Sequence, residues 1–181
     1  MRPQQLRLVL MLTSAVLLML AISNIVRCTQ ESAAPKLTTG SSGLKVTALQ
    51  WLLNANQTDV SVTGTYADKT ATAVRSFQQR AGLKETGTID SDTLKQLTPD
   101  AKPGDRGLQV RAIQTLLTMH AQPVGIYDDF DAATEEAVRR FQEAAGLKKT
   151  GAMDQRTWDA LFEGATTGPT VSETDQFLTT I

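Results

Sequence analysis

Apolar side chains recur at helical spacing in the middle of the chain, in stripes that polar loops separate. The second stripe stops at Gly82, which is placed as a glycine just past a helix end, with Leu83 positioned for the accompanying hydrophobic contact. The three stripes consist of Val46, Leu49, Leu52 and Leu53, then Ala73, Val74, Phe77 and Ala81, then Leu94 and Leu97. This pattern predicts three short helices between residues 43 and 98, with residues 60–66 as an extended connector.

The same pattern returns 64 residues later, because residues 73–87 are repeated almost letter for letter as residues 137–151. The offset holds without a gap from the Gly43/Gly107 pair to the Leu97/Leu161 pair. A period of this length indicates duplication of one folding unit. The sequence therefore predicts an all-α protein made of two tandem three-helix bundles, residues 43–98 and 105–163. A short linker containing two prolines, residues 99–104, separates them.

The N-terminus has the layout of a secretory signal. Arg2 and Arg7 precede an apolar run from residue 8 to residue 22, and Ala21 and Ser23 are spaced as a cleavage site requires. We expect export with cleavage after Ser23. The alternative is an uncleaved membrane anchor that extends to about residue 27, since the apolar character continues to Val26. Residues 24–42 are predicted to be a flexible linker and residues 164–181 a disordered tail.

Composition narrows the possible partners. The chain has 18 basic and 19 acidic side chains and a net charge of -1. This balance gives no basic surface for nucleic acid, and contact with a membrane is expected only through an uncleaved N-terminal segment. A single cysteine excludes an internal disulfide. Stability must therefore come from packing and helix capping.

Residues that are identical in both copies are needed either for the fold or for a ligand. Asp90 and Asp154 are placed to cap the third helices, and Asp131 caps the second helix of the second copy. Ala67 takes that position in the first copy, which costs about 1 kcal/mol of helix stability relative to Asp. We therefore expect the first repeat to be the weaker fold.

A short list of polar and aromatic positions is not obviously explained by packing. A glutamine can satisfy loop backbone groups or bind a ligand, and an arginine can be merely solvated or bind a ligand. An aromatic ring can anchor a loop or stack on an apolar sugar face. The positions are Gln50 and Gln114, Gln78 and Gln142, Arg75 and Arg139, Tyr66 and Phe130, and Trp51, which aligns with Thr115.

Both repeats resemble the bacterial peptidoglycan-binding domain, a three-helix module. The opening G-x-x-V-x-x-L-Q-x-x-L of that family is similar to residues 43–53 and 107–117, with Ile113 in place of a leucine. Its middle segment, T-x-x-A-V-x-x-F-Q-x-x-x-G-L, is matched by residues 70–83 and 134–147. Its closing T-W-x-x-L is intact as Thr157, Trp158 and Leu161.

This resemblance implies a protein that binds peptidoglycan and is located in the cell wall or outside the cell. The chain departs from the family pattern in the loop before the second helix of each repeat. There the usual Asp-Gly is Thr63-Gly64 in the first copy and Tyr127-Asp128 in the second. These loops border the face where the family is thought to hold wall material, which adds Tyr127 to the candidate ligand-binding residues.

No segment outside the repeats is long enough for a catalytic domain. His120 is the only histidine, Cys28 lies in the predicted linker, and Asp128, Asp129 and Asp131 lack the spacing of a calcium loop. We expect no enzyme activity, metal or cofactor. Two interpretations remain open: a secreted protein that binds peptidoglycan through two weak sites, and an interaction or scaffold module that docks a partner such as a cell-wall enzyme.

Overall fold

The computed structural model describes residues 36–163, and in this part of the chain it contains six α-helices and no extended strand. Each repeat contributes three helices, so the predicted all-α fold of two tandem three-helix repeats is confirmed. The first repeat consists of α1 (Leu44–Ala55), α2 (Asp68–Arg80) and α3 (Ser91–Leu97), and the second of α4 (Leu108–Met119), α5 (Ala132–Ala144) and α6 (Gln155–Glu163).

The middle helix of each repeat ends at the glycine that the sequence predicted. Gly82 has a φ of 68°, and its N–H donates to the Gln79 carbonyl at 3.2 Å, while Leu83 N–H donates to the Gln78 carbonyl at 2.8 Å. This pair of bonds is the Schellman arrangement, which requires the left-handed backbone that glycine adopts without strain. Gly146 and its neighbours repeat it in the second copy.

Helix starts differ between the copies as the sequence predicted. The Asp131 carboxylate accepts the Thr134 N–H at 2.8 Å at the start of α5, and the Asp90 carboxylate accepts the Thr93 N–H at 2.9 Å at the start of α3. Ala67, at the start of α2, offers no side-chain acceptor. The first turn of α2 therefore lacks one of the bonds that stabilise α5.

Each repeat is closed by short antiparallel bridges that the sequence pattern does not predict. Leu37 pairs with Ile89 and Ala101 with Met153, again 64 residues apart, and both Leu37 and Ala101 are buried. The first repeat therefore includes residues 37–42, where the composition predicts a flexible linker. Residues 99–104 are likewise part of the second repeat, and the Trp158 Nε1–H donates to the Pro99 carbonyl at 2.8 Å.

The two repeats do not stand apart on a spacer. The most extensive contact between helices joins α1 of the first repeat to α4 of the second, and the buried apolar residues of both form one continuous core. Within residues 36–163, both repeats accordingly belong to a single compact unit. Each repeat is too small to bury a large core alone, and packing α1 on α4 enlarges the core that both share.

The predicted signal or anchor, its cleavage site at Ser23, residues 24–35 and the predicted tail at residues 164–181 lie outside the described residues. Within residues 36–163, no helix combines the length and the apolar character that crossing a membrane demands.

Candidate functional site

The first pair of candidate glutamines lies in the core, where it holds the loop before the second helix. Gln50 is fully buried, and its Oε1 accepts the N–H groups of Thr63 and Gly64, both at 2.9 Å. Its Nε2 donates to the Thr65 carbonyl at 3.0 Å. Gln114 holds the corresponding loop of the second repeat in the same way. Both ends of each amide are therefore occupied within the protein.

The second pair holds the loop between the second and third helices. Gln78 is buried, its Oε1 accepts the Gly87 N–H at 2.9 Å, and its Nε2 donates to the Thr88 carbonyl at 2.9 Å and to the Thr93 hydroxyl at 3.0 Å. Gln142 makes the equivalent three bonds in the second repeat. The structural role that the sequence left open thus accounts for all four glutamines, and none presents its amide to solvent.

The two candidate aromatic rings at the mouth of the second helix are also in the core. Tyr66 is 0% exposed and Phe130 is 1% exposed. The Tyr66 hydroxyl donates to the Gly87 carbonyl at 2.8 Å, and burial raises the pKa of this phenol well above its ordinary range, against the smaller opposing effect of Arg75. Both rings anchor loops, so neither can stack on a sugar face.

Trp51 of the first repeat contacts Arg111 of the second, close in the chain fold to the residue that follows Tyr127. The Trp51 ring is partly buried, and the Arg111 guanidinium lies over it, 5.1 Å from the ring centroid. Arg111 in turn forms an ion pair with Asp128. Tyr127, which precedes Asp128 in the chain, is 66% exposed. Trp51 of the first repeat is therefore held by a residue of the second, and Tyr127 is the candidate aromatic that solvent reaches most.

The arginine pair has different surroundings in the two repeats. In the second repeat, Arg139 Nη2 lies 2.6 Å from Glu135 Oε1, and Nη1 donates to the Lys149 carbonyl at 3.0 Å. In the first repeat Ala71 stands where the second has Glu135. Arg75 is exposed and makes neither an ion pair nor a hydrogen bond with any residue in the 36–163 range. Arg75 is thus the candidate cation whose donors are available to a ligand.

The carboxylates around α5 each have a partner within the fold. Asp128 pairs with Arg111, Asp129 pairs with Arg106 at 2.8 Å, and Asp131 caps α5. Among residues 36–163, no group of three or more His, Cys, Asp or Glu side chains is arranged to hold a metal ion.

An open cleft lies in the second repeat between the segment before α4 and the loop before α6. Ala101 and Met153 line its apolar part, and Asp100, Lys102 and Asp105 line the polar part. The Asp105 carboxylate accepts the Lys102 backbone N–H at 2.8 Å, so that carboxylate is already used in shaping the segment. The cleft adds a second exposed surface to the one that Tyr127 provides.

Comparison with protein families decides the assignment. Residues 42–97 and 106–161 each match the model of the putative peptidoglycan binding domain, and the two matches together cover more than half of the chain. This chain belongs to the peptidoglycan-binding domain family. Peptidoglycan is therefore the ligand that the match supports, and the cell wall is the place of association that it indicates. No curated protein matches the chain significantly.

In this peptidoglycan-binding protein, the residues that carry the family pattern build the module. Identity between the copies identified the buried glutamines, because both copies need the same loop supports. It could not identify Arg111 or Asp128, since they align with Thr47 and Gly64 and therefore looked free to vary. Position-by-position comparison of the copies has no signal for a contact that joins one repeat to the other.

Proposed function

We propose that this protein is a secreted, non-catalytic protein of the bacterial envelope that binds peptidoglycan through its two repeats. The observation that carries the proposal is the family match in both copies, in a chain whose copies share one core. Both matched regions keep the complete three-helix module, and the loops at the start of each second helix are held by internal bonds.

The packing of α1 on α4 changes how two weak sites would cooperate. Contact surfaces on separate modules gain avidity according to the length and flexibility of the linker between them. Here the distance between the repeats is set by helix packing, so a ligand must match that spacing or engage one repeat only. A polymeric ligand with a regular repeat suits this arrangement.

Two features support a non-catalytic role. The His120 Nε2 is 2.8 Å from the Leu161 carbonyl, and its ring lies 4.9 Å from the Phe141 ring, which are the contacts of a packed histidine. The three carboxylates around α5 are engaged in ion pairs and in a helix cap. General acid–base or metal chemistry requires such groups to converge on a shared space.

Secretion is supported by the sequence of residues 1–23, with its basic start, apolar run and small residues at the expected cleavage site. Peptidoglycan lies outside the cytoplasmic membrane, so the protein must be exported or anchored there to meet it. Retention of the apolar segment would keep the protein at the membrane surface. N-terminal sequencing of the mature protein from envelope fractions distinguishes cleavage after Ser23 from an intact anchor.

The binding proposal is tested by co-sedimentation of residues 34–181 with purified peptidoglycan sacculi. We expect the protein to pellet with the sacculi and to be released by soluble muropeptides. Separate halves are not the right comparison, because cutting between the repeats exposes the faces of α1 and α4 that pack together. Protein that stays in the supernatant, while circular dichroism shows intact helices, would refute the proposal.

A second candidate function is docking of a partner protein such as a cell-wall enzyme. It is favoured by the neighbouring pair Ile126 and Tyr127, which are 47% and 66% exposed on the loop before α5. Exposed apolar neighbours of this kind are common in contact surfaces. Replacing both by serine distinguishes the two functions. Loss of sacculus binding would mean that the pair contacts peptidoglycan. Unchanged binding would mean that peptidoglycan does not need the pair, which is then available to a protein partner.

A further inference from the structure

The duplicated arginine has the same place on the second helix of both repeats, but only one copy has a carboxylate partner for it. Arg139 is held by Glu135 on the preceding turn and by the Lys149 carbonyl. Arg75 has Ala71 at the position of Glu135. Its guanidinium makes no hydrogen bond and no ion pair within the described part of the chain.

Arg75 is nevertheless positioned by packing. A Cβ atom added at Gly87 would lie 2.9 Å from Arg75 Nε and 3.1 Å from Nη2, so the guanidinium rests directly on the backbone of that glycine. The Gly87 backbone is held by two buried side chains, because its N–H donates to Gln78 Oε1 and its carbonyl accepts the Tyr66 hydroxyl. The loop under Arg75 is thus anchored in the core, while the arginine is exposed at its surface.

We propose that Arg75 is the anion-binding group of the first repeat and that it takes a carboxylate of the peptidoglycan peptide stem. This inference rests on the proposed function. A guanidinium presents paired N–H donors that match the two oxygens of a carboxylate, and such charge-assisted bonds are stronger than neutral ones. In peptidoglycan the free carboxylates lie on the peptide stems, so the chemistry selects the stem over the glycan. Arg139 already has its carboxylate and is closed to this role.

The duplication supplies reciprocal variants for the test. Ala71→Glu gives the first repeat the partner that the second repeat has, and we expect that glutamate to occupy Arg75. The equivalent position in the second repeat holds a glutamate, since Glu135 lies beside Gly151 with its side chain 30% exposed. Ala71 is only 4% exposed, so circular dichroism must show that the variant is folded. Glu135→Ala removes the carboxylate partner of Arg139 and leaves its bond to the Lys149 carbonyl. Arg75→Gln removes the cation directly, and Arg139→Gln is its matched control.

The probe is a synthetic muramyl peptide with free carboxylates, compared with the same peptide with its carboxylates amidated, titrated by calorimetry into residues 34–181. We expect the wild type to bind the free form about tenfold more tightly than the amidated form, the scale of one charge-assisted bond. Arg75→Gln and Ala71→Glu should remove that preference, Arg139→Gln should keep it, and Glu135→Ala should enlarge it.

Two results separate the inference from the proposed function. If wild type and Arg75→Gln pellet equally with sacculi and share the same peptide preference, Arg75 is not the carboxylate site, although peptidoglycan binding stands. If neither the wild type nor any variant binds sacculi or peptide while all remain helical by circular dichroism, the proposed function itself is refuted. If Ala71→Glu unfolds, Arg75→Gln decides alone, since replacing an exposed arginine that makes no hydrogen bond or ion pair in the described chain should cost little stability.

Discussion

Replacement of Gln78 by methionine is the sharpest test of what the identical glutamines do. Methionine has a similar length and volume, so it fills the space of the side chain without a cavity. It removes every hydrogen bond of the amide. The Gly87 N–H, which now donates to Gln78 Oε1 at 2.9 Å in a buried setting, would lose its acceptor. The Thr88 carbonyl would lose the Nε2 donor at 2.9 Å.

The expected loss follows from these two groups. A buried N–H without an acceptor costs about 1–3 kcal/mol, and a lost bond to a partly buried carbonyl costs about 0.5–1.5 kcal/mol. The free energy of unfolding of residues 34–181 should therefore fall by about 3 kcal/mol. For a unit of this size, that corresponds to a decrease of about 10 °C in the melting temperature.

Urea denaturation followed by circular dichroism measures this change as a shift of the midpoint at constant slope. Gln79→Met, at an exposed position on the same helix, is the matched control and should stay within about 0.5 kcal/mol of wild type. Below its melting temperature, Gln78→Met should still pellet with sacculi. A stability loss under about 1 kcal/mol would refute the loop-support role, and loss of binding by a fully folded variant would show that the amide serves the ligand.

Three further perturbations test helix capping and the junction between repeats. Ala67→Asp should raise the free energy of unfolding by about 1 kcal/mol in urea denaturation, because it supplies the cap that Asp131 gives α5. The Thr134 backbone N–H, then its hydroxyl, hold the pKa of Asp131 below its usual range. The advantage of wild type over Asp131→Ala is therefore complete above the ordinary aspartate pKa near 4, and denaturation curves should show it shrinking as the pH falls through the lower folded value. A double-mutant cycle of Trp51→Ala and Arg111→Gln should give a coupling of about 0.5–1 kcal/mol, and strictly additive losses would contradict the stacked contact.

The helices and their ends could be predicted because the information for them is local. Gly82 and Gly146 end the middle helices through a backbone conformation that other residues adopt only with strain, and this can be read from the sequence alone. The capping aspartates are recognisable for the same reason. Asp90 precedes Thr93 at the spacing that an N-cap bond requires.

The boundaries of the repeats were harder to predict, because short bridges leave no signal in the composition. Residues 29–42 are rich in Ser, Thr and Gly and looked like a spacer, but Leu37 among them forms a bridge with Ile89 and is buried. A single apolar residue carries too little periodicity to predict a strand. The copy 64 residues later, Ala101 with Met153, does the same with an even less conspicuous side chain.

Burial separates the candidate residues that are used inside the protein from those that a ligand can reach, and burial could not be predicted from the sequence. A glutamine that is identical in two copies is compatible with loop support and with ligand contact, and only the hydrogen bonds of Gln50 and Gln78 show that their amides are used inside the protein. The informative comparison proved to be an identical residue with an unlike neighbour. Arg75 and Arg139 are the same residue on the same turn, but Ala71 and Glu135 give them different electrostatic surroundings. Both copies thus keep the module, while a difference one helical turn away leaves Arg75, unlike Arg139, without a carboxylate partner in the described chain.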